Sequence, residues 1–198
     1  PPAEEIRQNA KERSGQKAEK WAAAEMQDQC KSVSVSGLSM GGVLTLLLAE
    51  QMPLTAAAPI SAPMAVQNRA MPFARIGSLF IKTTYWKGDD ARAAMLDQRY
   101  DYGYTCFPTR TAADLSKLIH MARQNLYAVT CPILAVQSHA DETISADSAE
   151  VIVDGVSSQR KGVLYLEEVP HVCTISKEHQ HIANAVGELF RKAEKEAK

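Results

Sequence analysis

Gly37-x-Ser39-x-Gly41 places a serine between two glycines at the spacing of a nucleophile elbow. The chemistry implied is attack of a hydroxyl on a carbonyl carbon. The spacing suits a strained strand-to-helix turn, in which side chains two residues either way would collide with neighbouring backbone. The flanking sequence fits that turn. Lys31 to Ser36 alternates Val33 and Val35 with serines, which predicts a strand with one buried face leading into Gly37. Val43 to Ala49 is too continuously apolar for a surface helix and predicts a buried one immediately behind Ser39. A helix starting there aims the Met40 backbone N–H, and the positive end of the helix dipole, at an oxyanion forming on the substrate.

A serine hydroxyl needs a base to take its proton, and a carboxylate to hold that base in the right tautomer. Five histidines compete. His120 falls in an amphipathic helix, and His179 and His181 fall in the C-terminal helix, where all three read as solvated or packing residues. His139 lies in a loop after a strand but only two residues from the best carboxylate, too close for both groups to point along one line. His171 directly follows the last strand, at the carboxyl end of the sheet where parallel α/β proteins place ligands, and is the expected base. Asp141 follows the preceding strand at the same end and is the expected acid. Glu142 is its neighbouring competitor, while Asp147 and Asp154 fall in or after the next helix. A metal site is not expected: His171-x-Cys173 and His179-x-His181 are present, but alternate residues on a helix point to different faces. No cofactor is implied.

The elements that must position these residues alternate between strand and helix. Ala3 to Gln29 reads as an outer helix, bent or broken at Ser14-Gly15. After the elbow come a strand at Leu54–Ile60, a helix at Thr111–Leu126 opened by a Thr111/Asp114 capping box, and an apolar strand at Cys131–Gln137. A helix from about Ser145 to Val153, a strand at Gly162–Glu167 and a closing helix at Lys177–Lys195 complete the order. This is the pattern of a parallel sheet covered on both faces. The stretch from Met64 to Arg110 has no clean period, yet holds eight of the chain's twelve aromatic side chains. Those aromatics either pack a core or line a pocket.

Composition narrows the function further. The chain has 198 residues, enough for one domain that buries roughly 70% of its unfolded surface without structural staples. It carries 22 basic and 23 acidic side chains, a balance that argues against a nucleic-acid or anionic-membrane partner held by bulk charge. No apolar run reaches the roughly 18 residues of a membrane span. Four scattered cysteines, Cys30, Cys106, Cys131 and Cys173, without a C-x-x-C pair, read as reduced thiols of a cytoplasmic protein.

Gly37-Leu38-Ser39-Met40-Gly41-Gly42, Ala62-Pro63-Met64, the run from Val136 to Glu142 with Asp147-Ser148-Ala149 behind it, and Pro170-His171-Val172 together resemble bacterial carboxylesterases of the α/β-hydrolase superfamily, in the small esterase and monoacylglycerol-lipase-like group. The order Ser39, Asp141, His171 is also that of the α/β-hydrolase fold, in contrast to chymotrypsin and subtilisin. The resemblance implies a single three-layer α/β-hydrolase domain over residues 1–198, with a mostly parallel sheet and a small cap inserted at 64–126 over an acyl pocket. It implies Ser39 as nucleophile, Asp141 as acid and His171 as base, acting on a small-molecule ester of short or medium acyl chain. A thioesterase or acyltransferase on the same triad is the alternative within enzymes.

The chain departs from that group in two ways. Pro170 stands where a small residue usually precedes the histidine, which constrains the loop and the aim of His171. Only Pro1 to Cys30 precede the elbow strand, so the sheet is expected to be N-terminally incomplete, without an upstream oxyanion loop. The Lys31–Ser36 strand would then be an uncovered edge through which a catalytically impaired chain could self-associate into a homo-oligomer.

Overall fold

The computed structural model describes residues 15–65, 83–85, 95, 97, 99 and 106–197. Four parallel strands form its sheet: β1 (Ser34–Leu38), β2 (Ala56–Ile60), β5 (Ile133–Ser138) and β6 (Lys161–Leu166), in the spatial order β1-β2-β5-β6. A short antiparallel pair, β3 (Thr83–Tyr85) with β4 (Cys106–Pro108), stands apart from it. The helices are α1 (Gly15–Gln29), α2 (Met40–Gln51), α3 (Thr109–Asn125), α4 (Ser148–Gly155) and α5 (His179–Glu196).

Two apolar clusters make the three layers. On one face, Val43, Leu46 and Leu47 of α2, Ile119 and Ala122 of α3, and Ala149 and Ile152 of α4 pack with Ala57, Ile133 and Ala135 of the sheet. On the other, Ile182 and Val186 of α5 pack on Ala58, Ile60, Val136 and Leu166. Neighbouring residues of β2 and β5 thus serve opposite faces, as the pleat requires. Every residue of β2 is buried, with the small Ala57 on the α2 side and Ala58 on the α5 side.

Several boundaries differ from the sequence expectation, each for a local reason. β1 starts at Ser34, three residues late, because Val33 is tied to the turn before β2: it accepts from the Thr55 N–H at 2.8 Å and donates to Thr55 Oγ1 at 3.1 Å. α3 starts at Thr109, straight after β4, so the Thr111/Asp114 pair lies inside its first turns and does not cap it. α4 begins at Ser148 because the carbonyls of Ser145 and Ala146 accept from the Gln137 side chain. The first half of the expected Ala3–Gln29 helix, and most of the aromatic stretch, lie outside the described residues. Within 64–126, Met64, Ile119, Ala122 and Leu126 are buried in the main core.

Candidate active site

β1 ends at Leu38, and Ser39 makes the turn into α2 with φ 56° and ψ −115°. This is the left-handed side of backbone space, which a residue with a side chain adopts only under constraint. The constraint is visible: the Ser39 N–H donates to the Ile60 carbonyl at 2.8 Å, and its own carbonyl accepts from Gly42 and Val43 at 2.9 and 3.2 Å. The turn pushes Oγ away from the sheet at its carboxyl end.

The glycines around it are needed for different reasons from those the motif suggests. A Cβ on Gly37 would sit 2.4 Å from the Gly41 carbonyl oxygen, so that position admits glycine alone. A Cβ on Gly41 would meet nothing within 4 Å, contrary to the expected collision. The second steric demand falls one residue later. A Cβ on Gly42 would lie 2.7 Å from the Ala62 Cβ and 3.1 Å from the carbonyl oxygens of Gly37 and Ile60, because α2 begins hard against the end of β2.

The loops after β5 and β6 bring two more side chains to this turn. His171 Nε2 lies 2.8 Å from Ser39 Oγ, and His171 Nδ1 lies 2.7 Å from Asp141 Oδ2. A carboxylate oxygen accepts, so Nδ1 carries the proton toward Asp141 and Nε2 is left to accept from the Ser39 hydroxyl. The other Asp141 oxygen, Oδ1, accepts the Thr143 and Ile144 N–H groups at 2.9 and 3.2 Å, which locks the carboxylate plane. The Asp141 side chain is 1% exposed and that of His171 11%, so the pair is shielded, whereas Ser39 is half-buried. Pro170 is buried and leaves the imidazole in line with both partners. Met40 opens α2, where the first N–H groups of a helix lack intrahelical acceptors.

The other candidates lie elsewhere. His139 stacks on Tyr165, ring centroids 4.5 Å apart, at the surface. His181 contacts Glu178 at 3.1 Å, and His179 Nδ1 lies 2.9 Å from the Ser176 carbonyl. Glu142 does not reach the imidazole; its Oε2 accepts the main-chain N–H of His171 at 3.3 Å. Asp147 immediately precedes α4, and Asp154 lies within it. Among the described residues no group of three metal-ligating side chains comes together, and no helix is long and apolar enough to cross a membrane.

Sequence reasoning missed the groups that hold the two loops. Gln137, 2% exposed, donates to the Ser145 and Ala146 carbonyls and accepts the Ala149 N–H at 2.7 Å, spanning the loop that carries Asp141. Ser138 Oγ donates to the Val169 carbonyl at 2.6 Å and accepts the Ala140 N–H at 3.1 Å, joining the acid loop to the base loop. Their signal was two polar residues closing an otherwise apolar strand, since a buried polar group must find partners. A cavity of about 510 Å3 flanks these loops, lined by Met95, Ala140, Glu142, Glu168, Val169 and Pro170.

A parallel sheet between helices, with a serine at a left-handed strand-to-helix turn and aspartate and histidine on the loops after β5 and β6, is the α/β-hydrolase architecture, and by fold the chain is an α/β-hydrolase. It is 28% identical over 162 residues to a carboxylesterase of Bacillus subtilis (strain 168), covering 82% of this chain and 65% of that one. A thermostable monoacylglycerol lipase of Bacillus sp. (strain H-257) is 28% identical over 170 residues, covering 84% and 66%. Among solved structures, one from a study of LipS and LipT, two metagenome-derived lipolytic enzymes, superposes with a TM-score of 0.78 at 26% identity, covering 86% of this chain and 69% of that one. No family model matches. The chain spans about two thirds of the length of the curated relatives it matches.

Proposed function

We propose that the chain carries the catalytic centre of a carboxylic ester hydrolase that works through an acyl-serine intermediate. The observation that carries this reading is the continuous relay from Asp141 Oδ2 through His171 to Ser39 Oγ, with steps of 2.7 and 2.8 Å. His171 takes the Ser39 proton as Oγ attacks the ester carbonyl, and Asp141 stabilises the imidazolium formed. The Met40 N–H and the α2 dipole stabilise the oxyanion. His171 then gives the proton to the leaving alcohol. Water repeats the cycle on the acyl-serine: His171 removes its proton, the tetrahedral adduct collapses, and Ser39 leaves as the free hydroxyl with the acid released.

The names of the relatives support a carboxylic ester, including a monoacylglycerol, as the substrate class. Glu142 and Glu168 in the flanking cavity favour a neutral ester over an anionic one on that side. Residues 64–110 are the proposed cap over the acyl pocket, whereas α3 behind them belongs to the main core through Ile119 and Ala122. Hydrolysis of p-nitrophenyl esters of graded acyl length tests the reading: turnover of short or medium esters supports it. A folded chain that cleaves thioesters in preference would move the activity to the same triad's thioesterase chemistry.

A second reading concerns assembly. β1 pairs with β2 on one side, and among the described residues no strand covers its other side. An open edge of this kind favours pairing with a second copy of the chain. Sedimentation velocity across a concentration series tests it, with a dimer expected and a monomer at every concentration counting against it.

A further inference from the structure

Ser61, directly after β2, has no part in the scheme above, yet it is wholly buried and held at φ 43°. A non-glycine residue in the left-handed region persists only where its surroundings over-determine it. Three contacts do so. The Ser61 N–H donates to the Val136 carbonyl at 2.8 Å, Oγ donates to the His171 carbonyl at 3.1 Å, and the Cys173 Sγ lies 3.6 Å from the same Oγ. The preceding residue, Ile60, accepts the Ser39 N–H at 2.8 Å. Two consecutive residues at the end of one central strand therefore hold the main chain of both Ser39 and His171.

The rest of the His171 segment is tied from the other side. Glu142 accepts the His171 N–H, and the Ser138 hydroxyl donates to the Val169 carbonyl two residues upstream. These bonds secure the segment toward the acid loop. Ser61 alone among them secures it toward the nucleophile turn, and an ordinary negative φ at Ser61 would swing Oγ away from the His171 carbonyl.

We propose that Ser61 is a positioning residue for His171, setting the distance between the imidazole and Ser39 Oγ by bonding the His171 carbonyl from the strand that also anchors the Ser39 turn. The proposal rests on the reading of His171 as the base. A shift of about 1 Å in such a group costs up to roughly 100-fold in rate, so loss of the Ser61 hydroxyl is expected to lower kcat by about 10- to 100-fold and leave KM unchanged.

Two variants separate positioning from plain structural support. Ser61→Ala removes the hydroxyl and keeps a side chain in the left-handed conformation; Ser61→Gly removes the hydroxyl and relieves that conformation. The glycine variant is therefore the more stable of the two. If Ser61 positions His171, both variants lose kcat alike at unchanged KM, although Ser61→Gly melts close to wild type. If Ser61 is only structural, activity follows melting temperature, Ser61→Gly keeps wild-type kcat, and the proposal is overturned. The low-field proton resonance of the His171 Nδ1–H, identified by its loss in His171→Gln, gives a readout that needs no turnover. It is expected to shift or broaden in both Ser61 variants, and an unchanged resonance in both overturns the proposal. A wild-type chain that cleaves no ester would sink the esterase reading, and the resonance would still decide the role of Ser61.

Discussion

The Nε2 of His171 stands 2.8 Å from Oγ of Ser39 across 132 positions of sequence. Their meeting depends on β1 and β6, the two outer strands of the sheet, delivering loops to the same end of it. The Asp141 carboxylate, on the loop after β5, fixes which nitrogen of the imidazole faces the serine.

Removing the acid tests that tautomer directly. Asp141→Asn keeps the shape but offers an amide where Nδ1–H needs an acceptor, which favours the wrong tautomer. By analogy with the corresponding change in the serine-protease triad, kcat for ester hydrolysis is expected to fall by about 10^4-fold. His171→Ala is expected to lose at least as much. Steady-state rates on a p-nitrophenyl ester check both, and an undiminished rate in His171→Ala would remove His171 from the base role.

The glycines predict a contrast that the motif alone would reverse. Gly42→Ala pushes a methyl group to 2.7 Å from the Ala62 Cβ and 3.1 Å from two backbone oxygens, an overpacking expected to cost about 1–3 kcal/mol. Gly41→Ala meets nothing and lies within a helix, so it is expected to be neutral or to stabilise by about 0.5–1 kcal/mol. Denaturant unfolding of the two variants measures the difference.

Glu50, in the last turn of α2, has a buried Oε1 that finds no hydrogen-bond partner among the described residues, and burial pushes its carboxyl up to about 8 from 4.5. Between those values the folded chain holds a proton that the unfolded chain has released, so this group makes stability fall as pH rises from 4.5 to 8. Glu50→Gln is expected to flatten that slope, leaving stability near pH 4.5 unchanged. With its partial exposure allowed for, the gain at pH 8 is about 1–2 kcal/mol. Melting curves at the two pH values check the sign.

The placement of Ser39, Asp141 and His171 after β1, β5 and β6 is legible in the sequence because Asp141 and His171 follow apolar runs that end sharply and Ser39 follows an alternating valine–serine run that ends in the glycine turn, whereas the β3–β4 pair falls in the stretch without a clean period. What is not legible comes from tertiary approach. Gly42 looks like a spare glycine until α2 is seen against the Ile60 carbonyl. The ties on the His171 main chain come from Glu142 and Ser61, 29 and 110 positions away, and neither leaves a local pattern. Gln137 and Ser138 are intermediate cases: their polarity at the end of a buried strand is a visible signal, but their partners are not.

The central claim, that Ser39 is a nucleophile activated by His171, is tested most directly by a fluorophosphonate probe with the adduct located by peptide mass spectrometry. The account predicts one adduct, on the peptide containing Ser39, absent in Ser39→Ala and strongly slowed in His171→Ala. A folded wild-type chain that takes no label, or takes it at another residue, would contradict it.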